Sequence, residues 1–120
     1  MEIKNYKDLI VWQKSMELVV EVYVLTALLP KSEMYGLCSQ MNRAGVSIPS
    51  NIAEGFNRKH DGEQLQFYAI SYASGAELET QLEICIRLNF FISEQTKKAA
   101  SLLNEVMRML NKLTTHQPRS

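Results

Sequence analysis

Apolar residues return every three or four positions along most of this chain, and no stretch gives a strand signal, so the pattern predicts helices throughout. Within residues 35–58, Leu37, Met41, Ala44, Ile48 and Ile52 mark one apolar face. Beside it Gln40, Arg43, Ser47, Asn51, Glu54 and Arg58 form a polar row at the same spacing, so these side chains are neighbours down one flank of a helix. Pro49 falls inside the pattern, where it removes a backbone donor and crowds the carbonyl of Gly45. The stretch reads as one Pro-kinked helix, or as two in tandem with Ser47 or Ser50 capping the second.

Upstream, Asp8 is suited to cap a helix running to about Leu28, which Pro30 closes. That helix carries two apolar stripes on nearly opposite sides: Leu9, Trp12, Met16, Val19, Tyr23 and Ala27, and then Val11, Leu18, Val22, Leu25 and Leu29. A helix in a lone bundle needs only one buried stripe. The second, with Val11, Leu18, Val22 and Leu25, is therefore expected at an interface between subunits. Residues 1–7 are expected to be a short arm, with Tyr6 folding back on the bundle.

Ser32 and Glu33 are expected to start the second helix. Asp61 followed by Gln64 fits a capping box for a third helix that runs to about Asn89. Its inner seam is read as Phe67, Ile70, Ser74, Leu78, Leu82, Cys85 and Leu88, with Tyr68, Tyr72, Ala76 and Ile84 on a second, partly apolar surface. After the apolar turn Phe90, Phe91 and Ile92, Ser93 is expected to cap a last helix through about Leu113. Its seam is Ala99, Leu102, Val106, Leu110 and Leu113, and residues 114–120 should fray. Four helical segments with short connections make a single all-α domain over residues 1–120, an antiparallel up-and-down four-helix bundle.

The opening DLIVWQKS, then EMYGLCSQMNRA, SIPSNIAEGFNR and ELETQLEICIRL resemble the small four-helix-bundle family encoded in intervening sequences of 23S ribosomal RNA genes. The likeness runs from about Tyr6 to Leu113. It implies the bundle fold. The family also includes accessory proteins of diversity-generating retroelements, which form basic pentameric barrels and bind a reverse transcriptase and nucleic acid. The resemblance thus implies a homo-oligomer, with a pentamer favoured. Where the family usually has a Gly-Ser pair, this chain reads Ala73-Ser74-Gly75, which displaces the glycine by two positions.

Lys plus Arg and Asp plus Glu balance at 13 each, so no overall field draws in a polyanion, and the markedly basic retroelement branch is the weaker match. Hydrophobic residues at 46% and charged residues at 22% suit a soluble globular chain. Lys4, Asp8 and Lys14 break up the start, so no secretory leader is read there, and the apolar runs are too short to span a bilayer. The expected address is the cytoplasm, where Cys38 and Cys85 would stay free thiols. His60 and His116 lack the Glu-x-x-His spacing of a di-metal bundle, and there is no phosphate loop or nucleophile elbow. The expectation is no catalytic residue, no metal and no cofactor.

The polar row admits three roles. Arg43 could pair with Glu77 or Glu79 while Ser47 and Asn51 satisfy backbone groups freed by Pro49. Part of the row could instead meet another subunit, or it could touch a ligand or nucleic acid. Candidate nucleic-acid contacts are Lys4, Lys7, Lys14, Arg58, Lys59, Lys97, Lys98, Arg108 and Lys112, with Tyr6, Trp12 and Tyr35 able to stack on bases. The leading reading is a non-enzymatic oligomeric scaffold that binds RNA or a protein partner. Its alternatives are an accessory subunit of a reverse transcriptase or other nucleic-acid enzyme, and a small-molecule pocket at Pro49.

Overall fold

The computed structural model describes residues 2–115; Met1 and the tail from His116, including Pro118, lie outside the described residues. Four α-helices follow one another: α1 (Ile10–Thr26), α2 (Ser39–Phe56), α3 (Asp61–Arg87) and α4 (Ser93–Thr115). No strand occurs among the described residues. Helix α1 packs on α2 and α4, and α3 packs on the same two, so the four close around one core. Leu9, Phe56, Asp61 and Leu113 line one hollow of ≈ 300 Å³. The starts of α1 and α3 therefore meet the ends of α2 and α4 at one pole.

The helix ends differ in detail from the sequence expectation. Asp8 does not cap α1. Its carboxylate accepts from the Lys4 and Asn5 amides at 2.9 and 3.2 Å and closes a 3-10 turn at Tyr6–Asp8, while Leu9 stands at the N-cap. Ser32 caps nothing either. A 3-10 turn at Lys31–Glu33 runs into a π-turn at Met34–Cys38, and the Glu33 carboxylate accepts from the Leu37 amide at 3.3 Å. The departure from helical geometry falls at Gly36 (φ −110°, ψ −110°), and α2 then passes through Pro49 as one helix, so neither Ser47 nor Ser50 serves as a cap.

At α3 the expected capping box is absent, because Gln64 Nε2 donates to the Arg58 carbonyl at 2.9 Å and His60 holds the N-cap position. Asp61 and Glu63 still place negative charge in the first turn, where the helix dipole favours it. The far end is a Schellman motif. Asn89 adopts φ 63°, its amide donates to the Ile86 carbonyl at 3.0 Å, and the Phe90 amide donates to the Cys85 carbonyl at 2.9 Å. Ser93 is the first residue of α4 rather than its cap, and Gln95 Oε1 accepts from the Ile92 amide at 3.0 Å. Thr114 and Thr115, expected to fray, are helical.

The core corrects the reading of α1. Val11, Leu18, Val22 and Leu25, expected against another subunit, are 5%, 0%, 0% and 3% exposed within the single chain. Met16 and Tyr23, from the stripe expected inside, are exposed, while Leu9, Trp12 and Val19 are half-buried. With apolar residues on both sides, periodicity cannot choose the inner one; the partner helix does. Gly45 of α2 presents bare backbone to Val22, whose carbons would lie only 3.6–3.7 Å from a Cβ at that position.

A similar shift occurs on α3. Tyr68 is buried, whereas Ile70 and Leu88 face outward, because the inner face is centred on Ser71, Ser74 and Gly75. A Cβ on Gly75 would overlap the Met107 sulfur of α4, so the thioether lies directly on the α3 backbone. On α4, Ala99, Leu102, Val106 and Leu110 are buried as expected, and Leu113 is 37% exposed.

Two glycines of α2 should respond oppositely to alanine. Gly45→Ala meets only ordinary contact with Val22 and is expected to gain about 0.5–1 kcal/mol from helix propensity. Gly55→Ala would put its Cβ 2.8 Å from Tyr68 Cε1 and 3.1 Å from Phe67 Cβ, and is expected to lose about 1–3 kcal/mol. Urea unfolding of both variants measures the difference.

Candidate functional site

The polar row lies along the groove between α2 and α3, but it does not act as one network. At mid-length the Ser47 and Ser74 hydroxyls share a hydrogen bond of 2.8 Å. Asn51 Nδ2 donates to the Ser47 carbonyl at 2.9 Å and to its hydroxyl at 3.0 Å. Asn51 thus serves the Ser47 carbonyl, not the Gly45 carbonyl whose donor Pro49 removes. Next to this knot, Ser71 donates to the Ile48 carbonyl at 2.8 Å inside the core.

Below it, Glu54 and Arg58 form an ion pair one turn apart, and the Arg58 guanidinium stacks over the Phe67 ring at 4.8 Å from its centroid. The pair is partly exposed, so it adds at most a fraction of a kcal/mol. The cation–π contact contributes about 0.5–1 kcal/mol and fixes where the guanidinium sits.

Above it, the first of the three readings, a paired Arg43, does not hold. Arg43 is exposed and makes no ion pair with Glu77 or Glu79 among the described residues. Gln40 is exposed as well. Arg43 and Glu77 instead line a groove of ≈ 480 Å³ with Gln40, Ala44, Ser47 and Ser74. A cation and a carboxylate that share an open, hydroxyl-floored groove can receive polar groups from outside the chain.

The candidate nucleic-acid contacts separate into two sets. Lys14 lies 3.7 Å from Glu105, Lys98 lies 3.3 Å from Glu21, and Arg58 is held by Glu54. Lys4, Lys7, Lys59, Lys97, Arg108 and Lys112 are exposed and outside these pairs. Lys97 belongs to the start of α4, while the other five belong to segments at the opposite pole. Asp8, Asp61 and Glu63 share that pole, so it is mixed in charge. Of the three aromatic candidates, Tyr6 and Trp12 spend their rings on each other, edge to face at 5.4 Å. Tyr35 is 92% exposed on the π-turn.

Reactive groups are muted. Burial pushes the Cys38 and Cys85 thiols up from their ordinary range, with the nearby Glu33 carboxylate adding to the effect, so both are protonated near neutral pH. His60 is exposed, and His116 lies outside the described residues. No cluster of three or more His, Cys, Asp or Glu side chains among the described residues is arranged to hold a metal ion. None of the described helices is long and apolar enough to cross a membrane. Ser71 escaped the sequence reading, although its spacing of three from Ser74, which was read in the inner seam, is the signal of a face made for close approach.

These placements predict a contrast. Arg43→Ala should change unfolding free energy by under about 0.5 kcal/mol, as expected for an exposed, unpaired side chain. Ser74→Ala should cost about 1–2 kcal/mol, because it deprives the Ser47 hydroxyl of its partner across the helix joint. Denaturant titration of the two variants tests it.

No curated protein matches the chain. A solved structure from Bacteroides thetaiotaomicron, described as a protein with unknown function from the S23 ribosomal protein family, superposes with a TM-score of 0.82. It is 24% identical and covers 88% of this chain and 99% of its own, a likeness that speaks to the fold. The 23S rRNA-intervening sequence protein family matches residues 7–112, and with nearly all of the bundle inside that match the protein belongs to this family.

Proposed function

We propose that this protein is a non-enzymatic scaffold that closes into a ring of identical subunits and presents a repeated surface to RNA or to a protein partner. One observation carries the assembly. The outer side of α1 exposes Met16 (42%), Val20 (62%), Tyr23 (49%) and Val24 (54%), and Leu28 (60%) follows just beyond the helix. Apolar side chains exposed together along one helix face mark a surface suited to protein contact. On α3, which packs on α2 and α4 rather than on α1, Ile70 (42%), Ile84 (39%) and Leu88 (53%) are also exposed. Apolar surfaces on two non-adjacent helices favour head-to-tail contacts over one two-fold interface, and such contacts close into rings. Five copies is the number suggested by the retroelement branch of the family.

Partner binding rests on repetition. Lys4, Lys7, Lys59, Arg108 and Lys112 are too dispersed on one neutral chain to hold a polyanion, but a ring would multiply them around one pole. The free thiols suit a reducing cytoplasm.

Multi-angle light scattering at micromolar concentration should find one closed oligomer, and Val20→Asp with Val24→Asp should reduce it to folded monomers. A wild-type chain that stays monomeric at tens of micromolar would remove the proposal. For RNA, retardation of a structured RNA by the wild-type ring should weaken steeply with salt. Absence of any shift at low salt would assign the surface to a protein partner.

A further inference from the structure

The groove above the serine pair holds two opposite charges that do not meet. Arg43 stands on its α2 wall and Glu77 on its α3 wall. Both are exposed, and among the described residues neither forms an ion pair. Between them lie Ala44 and the Ser47 and Ser74 hydroxyls, 2.8 Å apart, with Gln40 alongside. The enclosed ≈ 480 Å³ falls within the span of about 300–1,000 Å³ typical of small-molecule sites.

A second feature of α3 points to the same place. Gln81, one turn beyond Glu77, is 6% exposed, and its Oε1 is buried without a donor among the described residues. A helical side chain leans over the turn that precedes it, so the Gln81 amide lies over the turn that carries Glu77. A buried acceptor with no donor weakens a fold, and an apolar residue at 81 would suit the core better. The fold has no use for Arg43 or Glu77 either, since nothing in the chain pairs with them.

We propose that this groove binds a free α-amino acid in its zwitterionic form. The ligand carboxylate takes the Arg43 guanidinium, whose planar fork matches its two oxygens. The ligand ammonium takes the Glu77 carboxylate and donates to Gln81 Oε1, the acceptor that the chain leaves unused. Ser47, Ser74 and Gln40 then face the ligand side chain, which favours a polar one over an aliphatic one. A nucleotide fits less well, because Glu77 repels its phosphate and none of the lining residues is aromatic to stack its base. The site stands apart from the ring and from RNA.

Calorimetric titration of the full chain with each of the twenty amino acids tests it. At least one polar amino acid should bind once per chain with Kd of about 1 mM or tighter, and leucine about tenfold more weakly. Arg43→Ala and Glu77→Gln, both at exposed positions, should each weaken binding about tenfold or more. Glu79→Gln, exposed and outside the groove, should leave it unchanged. The amine and the acid that lack one charge of the bound amino acid should also bind about tenfold or more weakly. The Val20→Asp, Val24→Asp monomer should bind as the wild type does, which separates this site from the assembly. No heat with any amino acid at about 10 mM would overturn the site. Undiminished binding by Arg43→Ala or by either singly charged counterpart would overturn it too. If no amino acid binds and Arg43→Ala instead dissolves the oligomer, the groove belongs to a neighbouring subunit and the proposal falls.

Discussion

Everything in this bundle depends on how closely α2 and α3 approach. Small residues make the approach: Ser47 and Gly55 on one side, and Ser71 and Ser74 on the other. Hydroxyls then secure it, Ser47 to Ser74 across the joint and Ser71 to the Ile48 carbonyl. Pro49 works against α2, since a proline in a helix interior costs about 3 kcal/mol. Ile48 and Ile52, both fully buried, return about 1.5–3 kcal/mol each, so tertiary packing outweighs the local penalty.

The polar row is best understood from that joint outward. Its middle belongs to the fold, because Ser47 and Asn51 are tied to the backbone and to Ser74. Its lower end, Glu54 and Arg58, grips the start of α3 through Phe67. Only the upper end, Gln40 and Arg43 with Glu77, is left open in the groove. Six residues that look alike at helical spacing therefore do three different things.

Periodicity revealed the helices and most of the α4 seam, since α4 has one apolar side and no rival. It could not orient α1, where two apolar stripes compete and Gly45 on another helix decides between them. On α3, serines and a glycine claimed the inner face that size alone would have given to Ile70 and Leu88. The caps at Asp8 and Ser32 were misjudged for a related reason: each has the right chemistry, but short 3-10 and π turns absorbed or moved the helix start, whereas α3 begins one residue early and takes Asp61 into its first turn. A paired Arg43 was one reading of the row it shares with Ser47 and Asn51, yet a turn of helix carries it out of the joint.

The contact between Met107 and the bare backbone of Gly75 has a chemical consequence. Met107 is half-buried, and its sulfur is pressed against the neighbouring helix. A sulfoxide there would carry an added oxygen and a dipole into an apolar contact with no free volume. Met41, sealed in the core, is spared. Oxidation at Met107 would thus loosen α4 from α3 while the α2–α3 joint stayed shut.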